Sequence, residues 1–456
     1  MEDLLVSISG VRGRFPHPLS SEVAARYSLA FARSTEAKQI VIGRDTRPSG
    51  ERLLEGVISG LYSAGCNIEL VGIVTTPTLG FVTHTWGVDG GVMVTASHNP
   101  IEYNGLKFFG PDGLFLNSSQ IAQLKRMEGS IEPPPTRPSL DRLRLKENLS
   151  ASSTHLKAIL GLVDSQLIRS KGFIVVVDPV NGAGSVIAPQ LLGELGCKVV
   201  GINCRTDAPF PRGPEPVPEN VGELCLRVKD EGADVGFALD PDGDRLSLIS
   251  EEGVALGEEY TLALAARHIL GRKKGPLVIN LSTSLATEEV ALNAGCPVFR
   301  TRIGESWVVE RMKEKGAVIG GEGNGGVIFP DLHLGRDGLM GMALILEFMA
   351  QSGERLSTLA SSIPRYYMVK GKTPFGREEF GRVLPMVAGA FPRTKTDLTD
   401  GIRVSGEGYW VHLRPSNTEP VVRIIAEARS PEGARDLFSK AMEMMGNQGR
   451  GENLCL

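Results

Sequence analysis

Gln39-Ile-Val-Ile-Gly43 opens a pattern that occurs three times in about the first 330 residues. Each time a β-branched run, typical of a buried strand, is followed by a helical segment that closes at a glycine able to adopt the left-handed conformation. A further short strand leaves that glycine. Strands alternating with helices predict α/β units with largely parallel sheets. The other runs are Phe173-Ile-Val-Val-Val177 and Pro276-Leu-Val-Ile-Asn280, and the helix ends are Ala64-Gly65-Cys66, Leu195-Gly196-Cys197 and Ala294-Gly295-Cys296.

Each repeat ends with a second helix, a strand and a loop of unusual composition. In open α/β sheets, ligands bind at the carboxyl ends of the strands, where these loops lie. We therefore expect each repeat to present one loop to a common cleft. The three loops are Ala96-Ser-His-Asn-Pro100, Asp240-Pro-Asp-Gly-Asp-Arg245 and Gly321-Glu-Gly-Asn-Gly-Gly326.

The pattern changes along the chain in two places. Residues 128–150 are rich in proline and charge, which predicts a linker, and after Arg365 the strands become shorter. We predict three similar α/β domains with mixed, largely parallel sheets plus a C-terminal α+β domain, around a central cleft. The predicted domains are residues 1–150 with the serine loop, 151–254 with the acidic loop, 255–365 with the glycine-rich loop, and 366–456 with a fourth loop, Arg414-Pro-Ser-Asn-Thr-Glu-Pro420.

Composition excludes several classes of protein. Hydrophobic residues make up 41% of the chain, and the net charge of −4 argues against broad nucleic-acid binding. No apolar run approaches the roughly 20 residues that span a bilayer. The start, Met1-Glu2-Asp3, is acidic where a secretory signal is basic. We expect a cytoplasmic protein with no nucleic-acid or membrane partner.

The six cysteines show no metal-binding spacing and are interpreted as small buried hydrophobic residues.

The acidic loop concentrates Asp240, Asp242 and Asp244, whose oxygens are hard ligands suited to magnesium or calcium. An EF-hand is excluded because Arg245 occupies the sixth position, which requires glycine, and Leu246-Ser-Leu-Ile249 is typical of a strand. Arg245 beside three carboxylates fits a phosphate held on the metal, since guanidinium binds phosphate bidentately. A solvated acidic turn is the alternative.

The serine loop places a hydroxyl, Ser97, beside an imidazole, His98, at the end of a predicted strand. No GxSxG elbow surrounds this serine, so a hydrolase triad is not indicated. Lys107 follows shortly after and could neutralise a phosphorylated Ser97 or transfer a proton. A bare turn is an equally open interpretation of the serine loop taken alone.

The remaining two loops suit a phosphorylated sugar. The glycine-rich loop matches GxGxxG but leads into a strand at Val327, whereas a dinucleotide fingerprint requires a helix. Glu322 and Asn324 could instead hydrogen-bond sugar hydroxyls. The fourth loop, followed by Arg423, could hold phosphate through backbone N–H groups and a guanidinium. Ordinary turns remain the alternative for both loops.

In their order and spacing the four loops resemble those of the α-D-phosphohexomutase family, which includes phosphoglucosamine mutases and phosphomannomutase/phosphoglucomutases. The resemblance spans nearly the whole chain. It implies an isomerase that interconverts hexose 6-phosphate and hexose 1-phosphate through a phosphoserine and a bisphosphate intermediate. It also implies one Mg²⁺ per chain, a hexose 1,6-bisphosphate activator and a small-molecule phosphosugar substrate. We expect a monomer or homodimer.

The resemblance implies a role for particular residues. Ser97 is the implied phosphoserine and completes the metal site of the three aspartates. The implied catalytic residues are Ser97, His98, Lys107, Arg12 in the Gly10-Val-Arg-Gly13 loop, and Arg245. Lys107 is expected to transfer a proton near the acceptor, with His98 as the alternative. The implied substrate-binding residues are Asn99, Gly304, Glu305, Glu322, Asn324, Arg414, Ser416, Asn417, Thr418 and Arg423.

Two departures from the family pattern bear on the sugar. Gly323-Asn-Gly-Gly326 replaces the serine, glycine and histidine that often follow the sugar-binding glutamate. In a second loop, Gly304-Glu305 stands where phosphomannomutase/phosphoglucomutases often have histidine and bacterial phosphoglucosamine mutases aspartate. Glu305 could pair with the ammonium of glucosamine, which favours phosphoglucosamine mutase over phosphomannomutase/phosphoglucomutase. A non-catalytic sugar-phosphate sensor and a phosphatase with Asp240 as nucleophile are the rival interpretations.

Overall fold

The computed structural model describes residues 4–131, 145–391, 394–416 and 421–446. The chain divides into two compact units. The first contains Met1–Thr261 and Gly325–Ala360, and the second contains Leu262–Asn324 and Ser361–Leu456. Within the described ranges, no helix is both long and apolar enough to cross a membrane.

The first sheet carries the serine loop. Its elements are β1 Leu5–Ser7, β2 Gly10–Arg14, α1 Ser21–Thr35, β3 Gln39–Arg44, α2 Gly50–Ser63, β4 Asn67–Ile73, α3 Thr76–Thr85, β5 Gly90–Val94, β6 Tyr103–Phe109, α4 Ser118–Gly129 and β7 Leu145–Glu147. The strand order is β1-β2-β6-β5-β3-β4-β7. The strands β5, β3, β4 and β7 are parallel, whereas β1, β2 and β6 pair in antiparallel fashion.

Local sequence explains where these elements begin and end. Ser20 caps α1 by accepting a hydrogen bond from the Val23 N–H at 3.2 Å, and Thr75 caps α3 by accepting from the Thr78 N–H at 3.3 Å. Gly65, just past α2, has a φ of +78°, which a side chain rarely tolerates. The strand β5 is buried along its whole length, so it delivers Ser97 from the interior of the sheet.

The second sheet carries the acidic loop. Its elements are α5 Ala151–Leu162, α6 Ser165–Lys171, β8 Ile174–Asp178, α7 Gly184–Glu194, β9 Lys198–Gly201, a 3-10 turn Pro218–Asn220, α8 Gly222–Asp230, β10 Val235–Leu239 and β11 Leu246–Ser250. The strand order is β11-β10-β8-β9, with β8 parallel to both β9 and β10. Because β11 returns antiparallel to β10, the acidic loop is a tight turn between two buried strands.

The third sheet repeats the α/β pattern. Its elements are α9 Glu258–Arg272, β12 Leu277–Asn280, α10 Leu285–Asn293, β13 Val298–Thr301, α11 Glu305–Lys315, β14 Ile319–Glu322, β15 Gly326–Ile328, α12 Gly338–Ser352 and α13 Leu356–Ser361. The strand order is β13-β12-β14-β15, and β12 is parallel to both β13 and β14. Glu322 is therefore the last residue of a buried strand.

The fourth sheet is antiparallel. Its elements are β16 Tyr367–Pro374, α14 Arg377–Ala390, β17 Lys395–Asp397, β18 Ile402–Gly406, β19 Tyr409–Pro415, β20 Val421–Ala428 and α15 Pro431–Met444. The strand order is β16-β20-β19-β18-β17. One face of β19 and β20, with residues such as Leu413 and Ile424, packs into an apolar core that includes residues of α14 and α15.

These sheets confirm the predicted fold class of α/β domains with mixed, largely parallel sheets and a C-terminal α+β domain. Two local predictions were wrong. Leu145–Glu147, inside the predicted linker, forms β7 against β4; its side chains are exposed, so no apolar pattern revealed it. Glu305, placed in a loop, is the first residue of α11. Cys66 and Cys296 are buried as expected, whereas Cys197, Cys204 and Cys225 are only partly buried. Cys455 lies outside the described residues.

Candidate active site

The acidic loop brings together three buried carboxylates, whose charges are poorly screened by water. Asp240 and Asp242 are 0% exposed and Asp244 is 1% exposed. One oxygen of each lies within 4.8 Å of the others. Oδ1 of Asp242 and Oδ1 of Asp244 are buried and accept no hydrogen bond. Buried, unpartnered carboxylate oxygens are the ligands that a hard divalent cation requires, so these residues fit a metal ion.

Neighbouring side chains fix the orientation of two of these carboxylates. Nζ of Lys107 lies 2.6 Å from Oδ2 of Asp242 and 3.2 Å from Oδ2 of Asp244. Nη2 of Arg336 lies 2.7 Å from Oδ2 of Asp244. The Thr76 hydroxyl donates to Oδ2 of Asp242 at 2.5 Å, and its N–H donates to the Asp242 carbonyl at 2.8 Å. The loop is therefore held from three directions.

The charges in this cluster set its pKa values. Burial, followed by the charges of Asp242 and Asp244, raises the pKa of Asp240 well above its usual value. Burial would also raise the pKa of Asp244, but Arg336 and Lys107 outweigh it and lower that pKa. Burial would lower the pKa of Lys107, yet the two carboxylates beside it raise that pKa instead. Asp240 is thus the carboxylate least compensated by the chain's own cations.

The serine loop meets the acidic loop within the first unit. Ser97 is 2% exposed, and its Oγ donates to Oδ2 of Asp240 at 2.9 Å. Nδ1 of His98 lies 3.4 Å from the same Oγ. The φ of Ser97 is +50°, in the left-handed region that residues with a side chain rarely adopt. The Ser97 hydroxyl is therefore held against Asp240, a member of the candidate metal-binding cluster.

Two arginines close to the serine and acidic loops each have an unused donor. Arg12 donates from Nη1 to Oδ1 of Asn99 at 3.2 Å, and its Nε is buried without a hydrogen-bond partner. Arg245 pairs with Glu215 through Nη1, and its Nε is likewise buried and unpartnered. Burial, then the charges of Arg245 and Arg12, lowers the pKa of His98 well below its usual value. Two guanidinium groups beside a neutral imidazole suit an anionic ligand.

In the second unit, Glu322 and the Gly304 loop come together. Glu322 is 4% exposed, and its Oε1 accepts hydrogen bonds from Nδ2 of Asn280 at 2.9 Å and from the Gly304 N–H at 3.0 Å. Gly304 has a φ of +125° and precedes α11, which places Glu305 at the start of that helix. Asn324 follows Glu322 in the same loop and is half-buried. Glu322 and Gly304, two of the predicted substrate-binding residues, are thus in direct contact.

A row of three cations crosses the fourth sheet. Arg414 on β19 lies directly opposite Arg423 on β20, and Arg423 lies directly opposite Lys372 on β16. Nε of Arg414 donates to Oδ1 of Asp400 at 3.0 Å. Directly opposed like charges destabilise a sheet. The row concentrates positive charge on one face of the sheet, which suits an anion such as a phosphate group.

The fourth loop itself is only partly described. The Ser416 N–H donates to the Val421 carbonyl at 2.8 Å, which closes the turn between β19 and β20. Asn417 and Thr418 lie outside the described residues. The predicted meeting of all four loops in a single cleft stays a prediction.

Several residues that contact the acidic loop, or that lie beside Arg414 and Arg423 in the fourth sheet, were not predicted from the sequence. Thr76 follows a strand end and precedes Pro77 at the start of α3, so its position was a usable signal. Arg336 precedes Asp337, the N-cap of α12, but nothing in the sequence indicated its contact with Asp244. Lys372 lies inside a strand and Asp400 in a turn, and neither carried a signal.

Comparison with known proteins gives consistent matches along the chain. Models of the phosphoglucomutase/phosphomannomutase family match as alpha/beta/alpha domain I at residues 4–132, domain II at 153–253, domain III at 257–367 and the C-terminal domain at 379–444. A phosphoglucomutase/phosphomannomutase of Thermococcus kodakarensis is 38% identical, covering 96% of this chain and 97% of that protein. A probable phosphoglucosamine mutase of Methanopyrus kandleri is 37% identical, covering 96% of each. The crystal structure of a phosphoglucomutase/phosphomannomutase family protein from Burkholderia thailandensis superposes with a TM-score of 0.83 at 26% identity, covering 98% of this chain and 99% of that one.

Proposed function

We propose, since the chain belongs to the phosphoglucomutase/phosphomannomutase family, that it interconverts a hexose 6-phosphate and a hexose 1-phosphate through phosphorylated Ser97. Membership makes the chain a phosphohexomutase, which is an isomerase. The observation that carries the proposed relay is the 2.9 Å hydrogen bond from Oγ of Ser97 to Asp240 within the buried acidic loop.

The chemistry of transfer follows from the residues around Ser97. A magnesium ion held by Asp240, Asp242, Asp244 and a phosphoserine oxygen would neutralise charge on the transferring phosphoryl group. The bond from phosphorus to Oγ of Ser97 breaks, and a bond from phosphorus to a sugar hydroxyl oxygen forms. The sugar hydroxyl loses its proton and Oγ of Ser97 gains one, so a neighbouring group must accept the first proton and return one to Oγ. Lys107 is our choice for this proton transfer, with His98, 3.4 Å from Oγ, as the alternative.

The product of that step is a hexose 1,6-bisphosphate. Reversing the transfer from the other phosphate of this intermediate regenerates phosphorylated Ser97 and releases the isomeric monophosphate. The same site must therefore accept the sugar in two orientations, with its distal phosphate held in an equivalent place each time. Free hexose 1,6-bisphosphate would act as activator because it phosphorylates Ser97.

Residues of the second unit suit the parts of the sugar phosphate that do not react. Arg414 and Arg423 supply guanidinium donors for the distal phosphate, and Lys372 adds a third charge to their row. Glu322 supplies carboxylate oxygens for sugar hydroxyls. Glu305 could pair with an ammonium group, so we propose glucosamine phosphate as the substrate and phosphoglucosamine mutase as the activity. Phosphomannomutase/phosphoglucomutase activity is the alternative, and relatives with both names match the chain.

A coupled assay would test the relay and the sugar together. Glucosamine, glucose and mannose 6-phosphates are compared with magnesium and a trace of hexose 1,6-bisphosphate. We expect glucosamine phosphate to give the highest kcat/KM, and a preference for glucose or mannose phosphate would establish the alternative. Ser97→Ala should be inactive, whereas Ser170→Ala, at an exposed serine, should match the wild type. Covalent phosphate on Asp240 instead of Ser97 would refute the relay.

A further inference from the structure

The side chain of Arg47 is fully buried, and its guanidinium contacts the backbone of the serine loop. Nη1 donates to the carbonyls of Pro100 at 2.6 Å and Tyr103 at 2.8 Å. Nη2 donates to the carbonyls of Ser97 at 2.6 Å and Asn99 at 2.7 Å. One side chain therefore binds four backbone carbonyls between residues 97 and 103.

The remaining donor of Arg47 extends this network to the other side of Ser97. Nε of Arg47 donates to Oδ2 of Asp45 at 3.1 Å, and the Thr95 hydroxyl donates to the same oxygen at 2.6 Å. Oγ1 of Thr95 in turn accepts from the Ser97 N–H at 3.0 Å. The backbone N–H and C=O of Ser97 are thus both held by one buried chain of hydrogen bonds.

This network has no donor left for a ligand. A guanidinium has five N–H groups, and those of Arg47 all donate to protein oxygens. The network surrounds a residue whose φ is +50°, and such backbone conformations persist where the surroundings over-determine them. Buried ion pairs such as Arg47 with Asp45 contribute little to stability compared with apolar packing, so a role in specifying conformation accounts better for this one.

We propose that Arg47, with Asp45 and Thr95, is a positioning residue that holds Ser97 in its left-handed conformation and so directs Oγ towards Asp240. The inference deepens the proposed phosphoserine relay and rests on it. Lysine cannot replace this arginine because an ammonium offers three donors where the guanidinium offers five in a fixed plane. The expected defect lies in the rate of phosphoryl transfer, since Arg47 itself touches no reacting atom.

The first test compares Arg47→Lys with Arg44→Lys. Arg44 is the matched control. It donates to Glu51 and to the backbone carbonyl of Asp45, and neither bond involves the Asp45 carboxylate or the serine loop. Transfer of radioactive phosphate from hexose 1,6-bisphosphate to Ser97 is followed in single turnovers of the magnesium-loaded enzyme. We expect Arg47→Lys to slow transfer about 100-fold, which is the loss that a misplacement of about 1 Å produces. The concentration of hexose 1,6-bisphosphate that gives half the maximal transfer rate should change less than about threefold.

A second measurement does not depend on activity. Hydrogen exchange of the segment 96–103 in metal-free protein should become faster in Arg47→Lys and stay unchanged in Arg44→Lys. Wild-type enzyme that takes up no label on Ser97 would refute the relay itself. A labelled wild type with Arg47→Lys transferring at an equal rate would refute only the role of Arg47.

Thr95 provides a second route if Arg47→Lys does not fold. Thr95→Val removes the hydroxyl that joins Asp45 to the Ser97 N–H, and Thr95→Ser retains it. We expect slow transfer in Thr95→Val and rescue to near the wild-type rate in Thr95→Ser. Equal rates in the two Thr95 variants would overturn the proposal. It would also be overturned if neither Arg47→Lys nor Thr95→Val folded, because the network would then be a requirement of the fold alone.

Discussion

Oγ of Ser97 donates to Oδ2 of Asp240 over 2.9 Å, although the two residues are 143 positions apart. Each follows a buried strand, β5 for Ser97 and β10 for Asp240. Phosphate on Ser97 would bring further negative charge against a cluster of carboxylates in which Asp240 is the least compensated. A bound cation offsets that repulsion, so the geometry ties the proposed relay to a metal.

Metal binding should therefore stabilise the protein measurably. A ligand that binds only the folded state at a concentration of 100 times its Kd contributes about 2.7 kcal/mol. We expect magnesium to raise the free energy of unfolding, measured by urea titration with and without chelator, by that order in the wild type. Asp240→Asn should lose the increase, while Asp230→Asn, at an exposed aspartate, should keep it. An equal increase in both variants would contradict the proposed metal site.

The contact between Arg336 and Asp244 should be costly to break. Arg336 is 9% exposed and Asp244 1%, and removing one partner of a buried ion pair typically costs about 3–5 kcal/mol. Arg336→Met should lower the free energy of unfolding by about 3 kcal/mol, the lower end of that range, because Lys107 still pairs with Asp244. Arg311→Met is the matched control, because Arg311 pairs with Glu314 at the surface and such pairs contribute about 0–1 kcal/mol. Similar losses in the two variants would show that Arg336 does not hold the acidic loop.

The sequence predicted what depends on local pattern. Buried strands and helix-ending glycines were predicted because they follow from periodicity. The acidic loop was identified as a candidate metal site from the oxygen ligands of Asp240, Asp242 and Asp244. The chemistry of the other loops stays a prediction. Arg47 and Arg336 were not predicted, since their partners lie on other segments of the chain and a lone arginine reveals nothing about its contacts. The tripeptide Asp45-Thr46-Arg47 does follow the first strand of the repeat, so its position at a strand end was a signal.

Burial makes His412 a source of acid sensitivity in the second unit. Burial lowers the pKa of His412 to about 4, against the opposing effect of its hydrogen bond to the Asp400 carbonyl. The unfolded chain, with a histidine pKa near 6.5, binds this proton first as pH falls. The free energy of unfolding should therefore decrease between pH 6.5 and 4, by about 3 kcal/mol from this residue.

Urea titrations of the wild type and His412→Gln at several pH values would measure that contribution. The variant should show a smaller decrease from pH 6.5 to 4, because glutamine does not titrate. His17→Gln is the control, since His17 is exposed. If the decrease is as steep in His412→Gln as in His17→Gln, protonation of His412 does not limit acid stability.

Asp400 joins the proposed phosphate-binding and sugar-binding groups of the second unit. Its Oδ1 accepts from Nε of Arg414 at 3.0 Å, and its Oδ2 accepts from the Ile303 N–H at 3.0 Å. Asp400→Asn retains one acceptor oxygen and loses both the charge and the second acceptor. Because hydrogen bonds to charged groups contribute about 1.5–3 kcal/mol, we expect KM for the hexose phosphate to rise about tenfold.

The same variant should leave kcat within about threefold of the wild type, since the proposed role of the groups that Asp400 orients is to bind the substrate equally in the ground and transition states. Asp397→Asn is the matched control, because the Asp397 carboxylate accepts only from the Thr399 N–H among the side-chain hydrogen bonds of the described residues. Steady-state kinetics of the two variants make the comparison. A fall in kcat at unchanged KM in Asp400→Asn would place Asp400 in the transfer step and refute a role in substrate binding.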